Sequence, residues 1–230
     1  MRAGDIISYR DMCDAEHVGT LQRGMNYRLG ASHSVLLMSM RANAPYEDEL
    51  NDDGTMLIYE GHDVSRTTDI DDPKELDQPM TTKNGKLTQN GLFFEAAKNY
   101  QAGKREAEIV HVYEKIKMGI WVFNRQFHLV DAWQASVGKR RVFKFRLQAI
   151  TTPRTDKSET IQLEHTRLIP SHVKLDVWKR DNGHCVNCGS NKNLHFDHII
   201  PFSRGGTSLD GKNIQLLCMA CNLAKSNKII

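Results

Sequence analysis

The chain has 230 residues, 40% hydrophobic and 26% charged, a balance that supports a buried core and excludes a wholly disordered polypeptide. Its longest apolar runs, such as residues 34–40, are strand-sized and far short of the ~20 residues that cross a bilayer, and residues 1–10 lack the apolar stretch of a secretory signal, so the reading is a cytoplasmic protein with no membrane segment. The net charge is only +3, yet residues 171–230 hold eight Lys/Arg against four Asp and no Glu, so the first 170 residues sum to −1 and the basic excess sits at the C-terminal end.

In chain order, residues 33–40 and 56–59 pattern as strands on either side of an acidic loop. Residues 63–86 are poor in apolar side chains and rich in Asp, Thr and Pro, which reads as a long excursion from a sheet. A helical pattern follows over 89–100 despite Gly91. Residues 107–115 alternate as AEIVHVYEK, and 121–133 and 141–149 are rich in aromatic and β-branched residues, which predicts three more strands. Residues 1–155 are therefore expected to form one α+β, mostly β domain. Thr, Ser and charge around Pro153 mark a linker that ends by residue 170, taken as 156–170. The second domain, 171–230, opens with a helix to about residue 180, capped by Ser171, with Val173, Val177 and Trp178 on one side. A strand over 194–200, a turn at Gly205-Gly206 and a helix over 220–228 complete it.

Four of the five cysteines lie in this second domain, and Cys13 stands alone. Cys185-Val186-Asn187-Cys188 and Cys218-Met219-Ala220-Cys221 are two Cys-x2-Cys knuckles 29 residues apart. Two such pairs complete a closed tetrahedral four-sulfur site for Zn²⁺, whose role is then structural. A domain of ~60 residues with so little apolar content is expected to need that ion in order to fold.

Between the knuckles lie Leu194-His195-Phe196-Asp197-His198-Ile199-Ile200-Pro201, the Gly-Gly turn, Asn213-Ile214-Gln215-Leu216-Leu217, and then Asn222 and Lys225. Phosphodiester hydrolysis needs a base for water and a divalent cation at the phosphate, and a carboxylate with an amide oxygen suits Mg²⁺. From about residue 177 to 230 the order of these elements resembles the HNH nucleases, whose active site is a ββα-metal fold. The resemblance implies that His198 is the general base, that Asp197 and Asn222 hold a catalytic Mg²⁺ or Mn²⁺, and that Asn213 fixes the loop by hydrogen bonding. Asn222 stands where the family's name has its second His. His195 is read either as facing the phosphate or as packing beside the zinc knuckle. Arg204, Lys212 and Lys225 are read as nucleic-acid backbone contacts or solvated cations.

In the first domain, Tyr46-Glu47-Asp48-Glu49 precedes Tyr59-Glu60-Gly61, placing two tyrosines around an acidic loop. Reading a flipped base needs aromatic faces to sandwich it and an acceptor for the exocyclic amino group of cytosine, which Asp48 or Glu49 would supply. Together with His17-Val18-Gly19-Thr20, Gln89-Asn90-Gly91-Leu92 and Phe127-His128-Leu129-Val130-Asp131-Ala132-Trp133, this stretch is similar to the SRA (SET- and RING-associated) family. The resemblance implies an SRA/PUA-like mixed β-barrel with flanking helices that flips 5-methylcytosine, with Tyr46 and Tyr59 stacking and Glu49 as the better match for the cytosine-edge carboxylate. Phe123-Asn124-Arg125 replaces the family's Tyr-Asp-Gly, and Tyr59-Glu60-Gly61 its Tyr-Thr-Gly.

The two resemblances together imply a modification-dependent restriction endonuclease. It would act on double-stranded DNA carrying 5-methylcytosine or 5-hydroxymethylcytosine, and as a homodimer, because one HNH site cuts one strand. Two other readings stay open at this point: a zinc-containing modified-DNA reader with a weak or inactive nuclease, and an HNH nuclease indifferent to modification. Cys13 and residues 63–86 have no assigned role.

Overall fold

The computed structural model describes residues 1–226 except 22, 30, 31, 42, 43, 52, 53, 69, 151–168, 202 and 203. Most of the expected linker therefore lies outside the described residues, as do the last residues of the chain; Ile169 and Pro170, at its end, are buried. No described helix is long and apolar enough to cross a membrane.

The N-terminal region is one mixed sheet with a helix on each face. Its elements are β1 (Ile6–Ser8), α1 (Tyr9–Ala15), β2 (Met25–Asn26), β3 (Ser34–Met38), β4 (Glu49–Leu50), β5 (Met56–Glu60), α2 (Gln89–Gln101), β6 (Glu108–Lys117), β7 (Ile120–Val137) and β8 (Arg140–Ala149). The strand order is β2-β3-β6-β7-β8-β5-β4, with β1 paired to the start of β7. The long antiparallel run β6-β7-β8 is its spine, and β3 joins β6 in parallel.

Alternation on β6 explains how both faces become buried. Val110 and Val112 face α2, where they join Phe93, Ala96, Phe127, Phe143 and Phe145 in the main core. Tyr113 faces the other way, packing with Met12, Cys13, Val35, Trp121 and Phe123 beneath α1. Cys13 is thus a small apolar filler of the α1 interface. Ser8 and Asp11 close a capping box at the start of α1. Thr88 caps α2, and Gly91 is needed in its first turn because a Cβ there would collide with the carbonyl oxygen of Met80.

The excursion over 63–86 is held to the sheet by polar groups, which is why it has so few apolar ones. The Gln78 amide donates to the carbonyl of Gly61 (2.7 Å) and accepts from the Phe143 N–H (2.8 Å). Asn90 brackets His62 through both of its backbone groups. Buried Arg140 joins Glu60 (3.2 Å) to Asp63 (2.6 Å), and Lys144 bonds Glu60 from the other side (3.1 Å).

The C-terminal region comprises α3 (Ser171–Arg180), β9 (Leu194–His198), β10 (Ile214–Cys218) and α4 (Met219–Lys225). The predicted helix at 171 is present, but its cap is Pro170, and Ser171 is the first helical residue with no side-chain cap bond. The strand expected to reach residue 200 stops at His198, because Ile199 and Ile200 give their N–H groups to the backbone and side chain of Asn213.

A shared core docks this region on the sheet. Ile6, Ile116 and Val122 pack with Ile169, Val173, Val177, Leu194, Phe196, Ile214 and Leu216. The β6–β7 register shifts between Val112 and Tyr113, where Val112 opposes Arg125 and Tyr113 opposes Phe123, so Asn124 is the extra residue of a β-bulge. Asn124 is fully buried, and its Oδ1 accepts from Lys174 Nζ of α3 at 2.6 Å. Lys174 also pairs with buried Glu114 at 2.9 Å. An ion pair this deep holds its geometry only because these bonds replace water.

Candidate active site and base pocket

The catalytic candidates sit on a small ββα unit. β9 and β10 are antiparallel, with Asp197 opposite Gln215 and His198 opposite Ile214, and α4 packs across both strands. Asp197 Oδ2 accepts from Gln215 Nε2 (3.1 Å) and pairs with Lys225 Nζ (2.9 Å). The same ammonium donates to the backbone carbonyl of His198 (2.6 Å). Lys225, read from sequence as a candidate backbone contact, is instead only 1% exposed and anchors α4 to the end of β9. Arg204 and Lys212 are exposed.

Asn222 lies one turn before Lys225, and residues three apart share a helix face, so it is carried on the side of α4 that meets β9. Among the described residues, Asp197 Oδ1 and the Asn222 side-chain amide take no hydrogen bond. Two oxygen donors left in this state fit a hard divalent cation, which takes oxygen ligands and keeps waters. His198 Nε2 lies 2.8 Å from the hydroxyl of buried Ser208, which fixes the ring.

The loop between the strands is closed by Asn213. Its Oδ1 accepts from the Ile200 N–H (2.8 Å), and its Nδ2 donates to the carbonyls of Thr207 (2.9 Å) and Ile200 (3.2 Å). Gly206 is required here, since a Cβ would collide with the Ile200 carbonyl oxygen and crowd the Asn213 amide. His195 contacts the N-terminal segment: its Nδ1 lies 3.1 Å from Asp5 Oδ1, and its Nε2 is buried without a hydrogen-bond partner among the described residues.

The ligand atoms of Cys185, Cys188, Cys218 and Cys221 all lie within 4.8 Å of one another, and none is in a disulfide. Cys188 and Cys218 sulfurs are 3.6 Å apart. Burial alone would raise the Cys185 thiol, but backbone N–H groups of Cys218, Cys188 and Asn187 aimed at the sulfur bring it down to about 6, toward the thiolate a metal needs. Four thiols grouped this closely fit Zn²⁺ with no position left for substrate.

In the N-terminal sheet, a cavity of about 440 Å³ is lined by Tyr46, Asp48 and Tyr59, with Tyr9, Arg41 and Trp121 further round its wall. Tyr59 comes from β5 and is 3% exposed, its hydroxyl donating to the Leu37 carbonyl at 3.2 Å. Tyr46 is half-buried. Lys74 of the excursion stands 4.3 Å from its ring centroid, bonds the Pro45 carbonyl, and pairs with Asp63 at 3.2 Å. Residues 63–86 thus brace one wall of the cavity.

The carboxylate in that cavity belongs to Asp48. Glu49, the better match from sequence, is exposed on β4, where it pairs in register with Ile58, and it is not among the lining residues. Strand parity accounts for the difference, because neighbours on an extended segment face opposite ways. Asp48 Oδ1 accepts from the Glu60 N–H at 3.0 Å. Burial pushes its carboxyl up to about 7, against the opposing pull of the Glu60 and Ser39 N–H donors.

Reasoning from the sequence missed Ser208, Gln215 and the pairing of Lys225, and in the cavity Tyr9 and Trp121. The first three take part through contacts across the ββα unit that no local pattern marks, although Ser208 lies within the stretch bounded by the Gly-Gly turn and Asn213.

Among solved structures, the SRA domain of SUVH5 in complex with hemimethylated CG DNA is similar over 69% of this chain and 94% of that chain, with 21% identity and a TM-score of 0.46. The same domain bound to fully hydroxymethylated CG DNA gives 19% identity over 68% and 95%, with a TM-score of 0.47. The Type IV phosphorothioation-dependent restriction endonuclease ScoMcrA is similar over 98% of this chain and 59% of that chain, with 17% identity and a TM-score of 0.42. No curated protein matches the chain. Residues 185–228 match the HNH endonuclease family. That span holds both cysteine knuckles, Asp197, His198, Asn213 and Asn222, and the C-terminal part of this chain is an HNH endonuclease domain.

Proposed function

We propose that the chain is a modification-dependent DNA endonuclease, in which the N-terminal sheet reads a flipped modified cytosine and the HNH domain hydrolyses a phosphodiester nearby. The observation that carries this reading is the presence, in one chain, of an HNH unit and a cavity walled by two tyrosines around a buried carboxylate. The sequence likeness to SRA domains supports the same assignment. Tyr46 and Tyr59 would stack on the base, and Asp48, in place of Glu49, would bond the cytosine edge. The leading substrates are 5-methylcytosine and 5-hydroxymethylcytosine in duplex DNA.

In the nuclease, His198 takes the proton from the attacking water while Ser208 orients its ring. Asp197 and Asn222 would hold Mg²⁺ or Mn²⁺, which when bound would polarise the scissile phosphate and stabilise the leaving oxygen. Lys225 sets the position of Asp197 from behind. Zn²⁺ on the four cysteines is structural. The enzyme acts as a homodimer, since a double-strand break needs two such centres, in a reducing cytoplasm that keeps the four thiols free for metal.

The test is cleavage, with Mg²⁺ or Mn²⁺, of duplexes identical except for cytosine, 5-methylcytosine or 5-hydroxymethylcytosine, with His198→Ala alongside. Cutting of modified duplexes only, abolished in the variant, is the expected result. Equal cutting of all three would remove the reader. No cutting above the variant on any duplex would leave a zinc-containing binding protein. A monomer that cuts both strands in one encounter would overturn the dimer.

A further inference from the structure

A second group of ligand-type side chains lies far in sequence from the cysteines and is used by neither site. Glu16, at the C-cap of α1, is 5% exposed. Its Oε2 is 2.6 Å from Nε2 of His33, the residue before β3, and its Oε1 is 2.8 Å from Nδ1 of His111 on β6. The Tyr113 hydroxyl donates to the same Oε1. The two imidazoles are stacked with centroids 3.8 Å apart at 22°. One ligand atom from each of the three residues can be chosen so that all lie within 4.8 Å of one another.

We propose that Glu16, His33 and His111 form a transition-metal site, for Zn²⁺ or Ni²⁺, that fastens α1 to the sheet. Two imidazoles and a carboxylate are the donor set that borderline divalent ions take, and the span of the three atoms approaches the ~4 Å width of a coordination sphere with ~2.1 Å bonds. Two further features point to a ligand. The far nitrogen of His111 lies 2.8 Å from the Gln126 side-chain amide, and metal-bound histidines characteristically have such an outer partner to set the tautomer and the ring plane. With Nδ1 on the metal, Nε2 carries the proton and donates to the amide oxygen of Gln126 turned about its axis. Both imidazoles also keep an exposed edge, so an ion has a way in from solvent. On binding, the ion occupies the two imidazole nitrogens that face Glu16, each ring carries its single proton on the far nitrogen, Nδ1 of His33 and Nε2 of His111, and any second proton of a charged ring leaves to solvent.

Metal stoichiometry on the full-length chain tests this. The protein is stripped, titrated with Zn²⁺, and counted after dialysis; in parallel it is loaded with Co²⁺, whose thiolate charge-transfer band reports the four-cysteine site. The wild type is expected to hold one more zinc equivalent than the H33A/H111A double variant, with the thiolate band equal in both. Equal stoichiometry with the band intact would overturn the proposal. Should the double variant lose the band through misfolding, Glu16→Gln decides. That change keeps the side-chain shape, and its Ni²⁺ or Zn²⁺ affinity at the extra site is expected to fall roughly tenfold; unchanged affinity would overturn the site.

Discussion

The two regions hold their functional groups still by different means. In the N-terminal region a large sheet with apolar cores on both faces carries the cavity, and the residues that line it come from points as far apart as Tyr9 and Trp121. The HNH domain has one core, shared with the sheet, and confines Asp197, His198, Asn213, Asn222 and Lys225 to a stretch that starts at the first residue of its cysteine cluster plus twelve. Its rigidity is local, made of a four-cysteine cluster that fits zinc, an asparagine that laces one loop, and a buried lysine under the Asp197 carboxylate. One region therefore depends on packing area, and the other on a few strong polar links.

Removing the zinc should break this contrast most. Cys218→Ser, or a chelator, is expected to unfold β9, β10 and α4, since structural zinc is worth about 10 kcal/mol in small domains. Hydrogen exchange should show α2 and β6–β8 still protected. Loss of protection in both regions at once would mean that the sheet leans on the HNH domain.

Next in size is the chemistry. His198→Ala should lower cleavage by roughly 10²–10⁴-fold while leaving binding to modified DNA unchanged. The junction follows. Lys174→Ala strands Glu114 and Asn124 without their buried cation, at a cost of about 3–5 kcal/mol in urea unfolding. Lys174→Met combined with Glu114→Gln should recover much of that loss.

A smaller effect concerns pH at the cavity carboxylate. The Asp48 carboxyl is raised from 3.8 to about 7 by burial. Between those values the folded protein holds a proton that the unfolded chain has released, so this group's contribution to stability falls as pH rises from 3.8 toward 7 and then levels. The neutral carboxyl also offers an acceptor and an O–H donor, which match the amino group and N3 of cytosine. Binding of modified DNA should therefore weaken as pH rises through about 7. Asp48→Asn, which keeps one donor and one acceptor, should bind with a flat pH profile. Least of all, Glu49→Gln should change binding and stability by no more than ~0.5 kcal/mol, because its side chain is exposed; a large loss would restore Glu49 to the pocket.

The same contrast governs how much of the molecule is legible in its sequence. The four-cysteine site and the HNH residues stand at short, characteristic spacings, and β3, β5–β9, α2 and α3 show clear periodicity. β1, β2 and β4 are two or three residues long and carry no pattern a window can register. The choice between Asp48 and Glu49 turned on strand parity at the edge of β4. The excursion over 63–86 looked purposeless because its work is polar, through Asp63, Lys74 and Gln78. Glu16, His33 and His111 meet only because β3 and β6 are parallel neighbours beneath α1, a pairing that no local signal announces.

If reading and cutting are separate acts of one chain, preference for a modified base must survive when cleavage is lost. The affinity of the His198→Ala protein for plain, 5-methylcytosine and 5-hydroxymethylcytosine duplexes should favour a modified form by roughly tenfold or more, about 1.4 kcal/mol, and Tyr59→Ala added to it should erase the preference. Equal affinity for all three duplexes would contradict the claim, leaving an HNH nuclease whose N-terminal cavity serves some other ligand.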